Sequence, residues 1–438
     1  MGAVSATAAA KPRRFAWGRA AFAQAGRNGG ILGIVDQGLL AAGSFIANVA
    51  IARFASLAEF GAYMLLVSAF AFLSDLQTSL ITSPYMILAP SVPAERRAAY
   101  RASVVVQGLG AAALAALAAL LVALFGIHAG HSGLTLAAAA LSPACLGAML
   151  LRDQVRRVRI ADLDVLGAAR VDAAATALVA AGMAALVLGG RFTLSAALAV
   201  IAAAYAIPCA RWIRRELDAG AFAAAPGDLV SNWRHGRWLF LSALVWAAVN
   251  YIYPWAIAYY GGVGAVGGWG AAFSALALCN IPILGLQNYA GASVLRDGAR
   301  DGVRGLRRLI LAWIGRFTAV SLLFFGIYAL FGGQIVVLLY GAKYTGLGRL
   351  AGLLAFNVVL TSANFCVSRG LFAMERSDLD AATNALPVVF LLLAGFWLIA
   401  HFGAVGAAAS LCASNGLSLA MRGVVFITVT RGRTTDAS

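Results

Sequence analysis

Residues 111–124 read AAALAALAALLVAL, a run of apolar side chains that contains no charge. The run shows no alternation of polar and apolar positions, whereas a strand of a transmembrane barrel alternates with a period of two. With the apolar residues on either side, it reaches the roughly 20 residues that a helix needs to cross a bilayer. This stretch therefore predicts a membrane-spanning helix.

The same composition extends along the whole chain. Of the 438 residues, 62% are hydrophobic and 11% are charged, whereas soluble domains contain about 25% charged residues. An ordinary soluble protein is therefore excluded, and the sequence predicts an all-α polytopic membrane protein. The twelve predicted spans are 31–52, 60–88, 103–125, 133–151, 170–189, 192–210, 238–260, 266–290, 309–331, 350–368, 382–400 and 404–421.

Basic residues are distributed unequally between the connections. If the loops alternate between the two sides, 28 of the 33 Lys and Arg residues lie on the side of the N terminus and four on the other. Because basic loops remain in the cytoplasm, both termini are predicted to be cytoplasmic. The net charge of +16 then follows from membrane topology, and no nucleic acid partner is expected.

The two halves of the chain resemble each other at an offset of 206 residues. Ile51-Ala52 corresponds to Ile257-Ala258, Gly61 to Gly267, and Ser68-Ala69 to Ser274-Ala275. Since each half has six spans, the repeats are parallel, as in one class of secondary transporters. The predicted organisation is a cytoplasmic tail (1–30), an N-terminal six-helix bundle (31–212), a cytoplasmic linker (213–237), a C-terminal six-helix bundle (238–430) and a second tail (431–438).

Ionisable residues within the spans are the main functional candidates, because charge is costly in hydrocarbon and usually faces a bundle interior or a cavity. Asp36 and Asp75 are candidate ion-coupling carboxylates, and Arg316, the only basic residue placed inside a span, is a candidate ligand for phosphate. A buried ion pair or snorkelling to the interface is the alternative for all three. The candidate polar residues of a cavity are Gln37, Asn48, Gln77, Asn250, Asn280 and Gln287.

No enzyme chemistry is indicated by the sequence. The GxGxxG run at residues 262–267 joins two spans and lacks the acidic residue that the dinucleotide fingerprint requires. The cysteines lie in apolar segments without CxxC spacing, and neither a catalytic constellation nor a metal-ligand set is apparent. We therefore expect no catalytic residue, no metal and no cofactor.

Three segments are similar to bacterial polysaccharide-biosynthesis flippases, which belong to the multidrug/oligosaccharidyl-lipid/polysaccharide exporter superfamily. They are VDQGLL at 35–40 with ARFASLAEFGAY at 52–63, LYGAKY at 339–344, and GAVGAAAS at 403–410. The resemblance covers about residues 27–430. It implies two six-helix bundles around a central cavity in the bacterial inner membrane.

The resemblance also implies a function. Such a protein translocates undecaprenyl-diphosphate-linked oligosaccharide by alternating access, for exopolysaccharide or O-antigen synthesis, and Arg316 is the candidate for the diphosphate. The implied partners are the lipid-linked oligosaccharide, membrane lipids, and the polysaccharide polymerase and export machinery. The alternatives are a cation-coupled multidrug exporter that uses Asp36 or Asp75, a membrane-embedded enzyme, which the short outer loops oppose, and a non-transporting scaffold.

Overall fold

The computed structural model describes residues 36–128, 135–220, 226–277, 302–374, 376–383 and 385–435, together with single positions between 278 and 301. Every regular element in these ranges is helical, and the ranges contain no strand. The predicted all-α class is confirmed.

Six helices form the N-terminal half. The second of them begins at a capping box, in which the Ser56 hydroxyl accepts from the backbone N–H of Glu59 at 3.1 Å and the Glu59 carboxylate accepts from the N–H of Ser56 at 2.9 Å. The helices are α1 Asp36–Phe54, α2 Leu57–Ser91, α3 Ala94–Gly126, α4 Leu136–Ala161, α5 Val165–Leu188 and α6 Leu194–Gly220.

The C-terminal half continues with α7 Pro226–Gly261, α8 Val263–Ala275, α9 Gly302–Tyr340, α10 Gly348–Ala373, α11 at 377–383 and 385–402, and α12 at 404–435. Helix α7 bends by 41° between Ala247 and Asn250. Gly403, with φ 57° and ψ −135°, separates α11 from α12. Without this break the 53-residue stretch 378–430 would be roughly 80 Å long, more than twice the hydrocarbon thickness.

Nine described stretches are long and apolar enough to cross a membrane, and the bent α7 makes ten. One of the nine contains both α11 and α12, and α8 is described without interruption only as far as residue 277. The twelve helices correspond in order to the twelve predicted spans. Several extend beyond the predicted ends, because their charged residues continue the helix past the apolar run.

The helices pack as two bundles. Helix α4 contacts α3, α5 and α6, and α6 also contacts α3 and α5, while α9, α10 and α12 contact one another. Helix α2 joins the bundles through its contacts with α7 and α8. We call the side on which α4 and α6 end and α5 and α7 begin the basic side, and the opposite side, with Arg53 and Lys343, the far side.

The apolar core is shared between the bundles only towards the far side. One cluster there combines Ile51 and Phe60 of the N-terminal bundle with Trp269, Tyr340 and Leu350 of the C-terminal bundle. Towards the basic side, each bundle has clusters of its own, built around Val104 and Val158 in one and around Ile310 and Phe317 in the other. The bundles therefore share an apolar core at the far side and have separate apolar cores at the basic side. The start of α7 still contacts the N-terminal bundle on the basic side, where Arg96 lies 3.0 Å from Asp228 and the Tyr100 hydroxyl donates to Asn232 Oδ1 at 2.6 Å.

Candidate functional site

A network of four charged side chains is buried in the N-terminal bundle, where α1, α4 and α5 meet. Arg156 Nη2 lies 2.5 Å from Asp36 Oδ2, and Arg156 Nε lies 2.9 Å from Asp172 Oδ2. Arg152 Nη2 lies 2.6 Å from Asp172 Oδ1. The side chain of Asp172 is fully buried and that of Asp36 is 2% exposed. Two positive and two negative charges thus compensate each other within the bundle.

This arrangement is stable only when it is complete. Burying a charge costs several kcal/mol, and its partners offset that cost through good geometry and hydrogen bonds. The Arg152 guanidinium also lies over the Tyr205 ring, 4.4 Å from its centroid. Asp36 Oδ1, in contrast, is buried and accepts no hydrogen bond from any described residue. The network therefore holds one carboxylate oxygen that is open to a proton, a cation or a further donor.

Asp36 and Arg316, two predicted site residues, do not have the neighbours that the sequence suggests. Asp36 pairs with Arg156 and not with Arg316. Arg316 is exposed on α9, its guanidinium lies 4.7 Å from the centroid of the Trp313 ring, and it forms no ion pair with a described carboxylate. The premise that Arg316 is the only basic residue inside a span is wrong, since Arg152 and Arg156 are buried within α4.

A second buried arginine lies in the C-terminal bundle. Arg422 Nε is 3.0 Å from Asp380 Oδ1 and donates to Thr383 Oγ1 at 3.1 Å, and Arg422 Nη1 donates to Asn364 Oδ1 at 3.1 Å. Asn364 in turn donates to the carbonyl of Asn415 at 2.9 Å. Each bundle thus contains buried arginines, namely Arg152, Arg156 and Arg422, that the apolar pattern alone assigns to the loops.

Asp75 lies where α2 contacts α7. It is half-buried and accepts a hydrogen bond from the Tyr251 hydroxyl at 3.1 Å. The hydroxyl of Ser74, the residue before Asp75, donates to Asp153 Oδ2 at 2.6 Å, and Arg157 Nε donates to the same carboxylate oxygen at 2.7 Å. Asp75 thus bonds across the boundary between the two bundles, next to the bend of α7.

The predicted cavity amides occupy different environments. Gln77 is buried and donates to Gln154 Oε1 at 2.9 Å, and Gln154 donates to the carbonyl of Val104 at 2.7 Å. Asn250 is exposed at the bend of α7 and donates to the carbonyl of Trp246 at 2.8 Å. Gln37 is exposed, Asn48 and Gln287 are partly buried, and Asn280 lies outside the described residues.

Close backbone packing joins the two bundles on the far side. A Cβ at Gly61 would overlap the carbonyl oxygen of Val263, and a Cβ at Gly267 would overlap that of Leu57. These two glycines are the pair that the 206-residue repeat aligns, so equivalent positions of α2 and α8 face each other. Only glycine permits backbones to approach so closely.

Hydrogen bonds also join the two bundles on the far side. Lys343 Nζ donates to the carbonyls of Arg53 and Ala55, and the Tyr344 hydroxyl donates to the carbonyl of Ala52 at 3.2 Å. Arg53 Nη1 donates in the other direction, to the carbonyl of Leu338 at 3.3 Å. The connection between α9 and α10 thus supplies donors to the otherwise unpaired carbonyls at the end of α1. Burial lowers the pKa of Lys343.

Solved structures with the same architecture identify the fold. An inward-facing multidrug resistance MATE family transporter of the MOP superfamily aligns with a TM-score of 0.74 at 14% identity, covering 92% of this chain and 99% of that chain. The lipid II flippase MurJ in an inward closed conformation gives 0.67 at 10% identity, with 90% and 86% covered. The chain has the fold of the MOP superfamily transporters.

The MOP fold confirms the predicted architecture, two six-helix bundles around a central cavity. An outward-facing MATE family transporter with this fold aligns less well, with a TM-score of 0.56 at 15% identity and 93% and 94% coverage. The sequence matches no protein-family model and is similar to no curated protein.

Proposed function

We propose that this protein is a MOP superfamily flippase that moves a polyprenyl-diphosphate-linked oligosaccharide across the bacterial inner membrane by alternating access. The observation that carries the proposal is the asymmetry of the apolar core. One apolar cluster joins the bundles on the far side, whereas the clusters towards the basic side each belong to one bundle, and the start of α7 contacts α2 and α3 there. With the basic side in the cytoplasm, this is a state open to the inside. The segments at 35–63 and 339–344, similar to polysaccharide flippases, favour a lipid-linked sugar as the substrate.

Transport then requires the far side to open. The contacts to be broken are the apolar cluster that the bundles share, the hydrogen bonds donated by Lys343, Tyr344 and Arg53, and the glycine contact between α2 and α8. The buried networks of Arg156 and Arg422 lie within single bundles, so they move with those bundles as rigid parts. In this account no bond in the substrate is made or broken, and the protein acts as a transporter and not as an enzyme.

A covalent link across the far side tests the mechanism. In a background without native cysteines, Ala55→Cys and Lys343→Cys would be joined by a thiol-specific cross-linker. We expect cross-linking to abolish flipping of a fluorescent lipid-linked oligosaccharide in proteoliposomes, and a cleavable linker to restore it. The control is Phe54→Cys with Phe192→Cys, two positions of the N-terminal bundle whose rings lie 5.5 Å apart. Normal flipping by the cross-linked Ala55 and Lys343 variant would contradict alternating access at this contact.

A cation-coupled multidrug exporter is the second candidate, and it is favoured by the buried Asp36 Oδ1, which accepts no hydrogen bond from a described residue. In that case Asp36 or Asp75 would carry the coupling ion. Asp36→Asn and Asp75→Asn should then insert normally but lose transport of a cationic dye that depends on an ion gradient. If the wild-type protein flips the lipid-linked sugar and exports no dye, the exporter hypothesis is wrong.

A further inference from the structure

A basic pocket lies at the edge of the N-terminal bundle, and none of the four side chains of the buried Arg156 network lines it. It has a volume of about 420 Å³ and lies between the start of α5 and the end of α6, on the basic side. Four arginines line it, Arg159, Arg170, Arg211 and Arg215, with Asp164 as the single carboxylate.

Most of this positive charge is uncompensated. Asp164 is engaged by Arg159 at 2.6 Å and also accepts from the backbone N–H of Gly167 at 2.9 Å. Arg170, Arg211 and Arg215 form no ion pair with any described carboxylate. Guanidinium groups bind phosphate oxygens in a bidentate manner. The pocket therefore carries three free guanidinium groups of the kind that binds phosphate.

The pocket faces away from the region between the bundles. Thr176 of α5 points towards α1, because its hydroxyl donates to the carbonyl of Leu39 at 2.9 Å. Gly167 and Ala174, which line the pocket, lie about half a turn around α5 from Thr176 at 100° per residue. The strong contacts of α5 and α6 are also with helices of the N-terminal bundle. A molecule bound here would lie on the outside of that bundle, next to lipid.

The deeper wall of the pocket is apolar. Val171 and Ala174 follow Arg170 into the membrane along α5, and Pro208 precedes Arg211 along α6. Trp212, whose ring lies 5.4 Å from the Arg159 guanidinium carbon, lies between Arg211 and Arg215 along α6, and tryptophan is common at the membrane interface. Guanidinium groups at the rim above an apolar groove match a phosphate with hydrocarbon attached, whereas a soluble phosphate would use the rim alone.

We propose that this pocket binds the phosphate of an anionic phospholipid headgroup, with an acyl chain of the lipid along the groove between α5 and α6. Basic pockets between helices on the cytoplasmic side are a common mode of anionic lipid binding. The site is independent of the transported substrate, because it lies outside the region between the bundles.

Native mass spectrometry of the purified full-length protein tests the proposal. The probes are phosphatidylglycerol and phosphatidylcholine at equal concentration. We expect the wild type to retain phosphatidylglycerol selectively. The triple variant Arg170→Gln, Arg211→Gln, Arg215→Gln should retain at least about tenfold less phosphatidylglycerol than the wild type. The matched control is Arg214→Gln, Arg307→Gln, Arg308→Gln, which removes the same charge from three exposed arginines that do not line the pocket. The control should change lipid retention by less than about twofold.

Two further experiments distinguish binding of a lipid from binding of free phosphate. Ala174→Phe fills the apolar groove and leaves the arginines in place, so it should lower lipid retention, and millimolar inorganic phosphate should not displace the lipid from the wild type. Displacement by phosphate, or unchanged retention by Ala174→Phe, would assign the pocket to soluble phosphate and overturn the lipid proposal. Equal losses in the pocket and control triple variants, or no loss in the pocket variant, would overturn it as well. Thermal melting of each variant shows whether the fold is intact.

Discussion

At the residue scale, the N-terminal bundle depends on a neutral set of charges and not on isolated ones. Asp172 accepts from both Arg152 and Arg156, and Arg156 also binds Asp36. A single neutralising substitution therefore leaves a buried charge without its partner, whereas removing a complete pair keeps the balance. A single substitution in this buried network should therefore destabilise the protein, whereas loss of an exposed ion pair changes its stability little.

The first prediction concerns Arg156. Arg156→Ala leaves Asp36 and Asp172 buried with one partner between them, so it should lower the free energy of unfolding by about 3–5 kcal/mol. Arg214→Ala, which removes an exposed residue 3.9 Å from Asp218, should cost less than about 1 kcal/mol. Melting in detergent, followed by tryptophan fluorescence, measures both. Adding Asp36→Asn to Arg156→Ala should recover part of the loss, and equal melting of Arg156→Ala and Arg214→Ala would refute the prediction.

The second prediction concerns Arg316. Because it is exposed and forms no ion pair with a described carboxylate, Arg316→Ala should leave the protein level unchanged. If Arg316 binds the substrate diphosphate, this variant loses most flipping in proteoliposomes, and Arg316→Lys loses part of it, because an ammonium lacks the planar fork of a guanidinium. Arg307→Ala, also exposed on α9, is the control. Unimpaired flipping by Arg316→Ala would remove this residue from the substrate path.

At the element scale, the apolar pattern predicts which segments are helices but not where they end. The run at 133–151 predicts a span that stops before Arg152, yet α4 continues to Ala161. The extension is favourable because Asp36 and Asp172 on neighbouring helices compensate its arginines. A hydropathy count treats such residues as loop charges, since it contains no information about partners on other helices. The spacing of Arg152 and Arg156, one turn apart, is the signal in the sequence that indicates a charged helical face.

The internal repeat predicts equivalent positions in the helices more accurately than the apolar pattern predicts the helix ends. Gly61 and Gly267 align at the 206-residue offset, and the structure brings them together between α2 and α8. The sequence does not show that the two repeats meet at these glycines. Self-similarity indicates which positions are equivalent, but it does not indicate which positions are in contact. The environment of each glycine is a tertiary property.

The third prediction tests this close approach. Gly61→Ala places a methyl group against the carbonyl of Val263 and should force α2 and α8 apart. A cysteine at Tyr344 should then react faster with an impermeant maleimide, because the far side opens more often. Gly264→Ala on the same helix α8 meets nothing within 4 Å and should leave the rate unchanged. Equal labelling rates in both variants would show that the glycine contact does not hold the far side closed.

At the scale of the whole molecule, the basic residues of the described helices are distributed unequally between the two sides. The far side has few basic residues, and two of them, Arg53 and Lys343, are engaged with backbone carbonyls. The basic side carries the ends of α4 and α6 and the pocket with its free arginines. Because basic loops are retained in the cytoplasm, we propose that this side is cytoplasmic.

The fourth prediction follows from this orientation. In a background without native cysteines, Gly227→Cys at the start of α7 and Gly302→Cys at the start of α9 should resist an impermeant thiol reagent in intact cells and react after permeabilisation. Arg191→Cys, in the exposed far-side connection between α5 and α6, should react in intact cells. Gly227 is exposed and has open space around it, so protection there reflects the membrane and not burial. Labelling of Gly227→Cys or Gly302→Cys in intact cells would reverse the orientation, and the state described here would then be open to the outside.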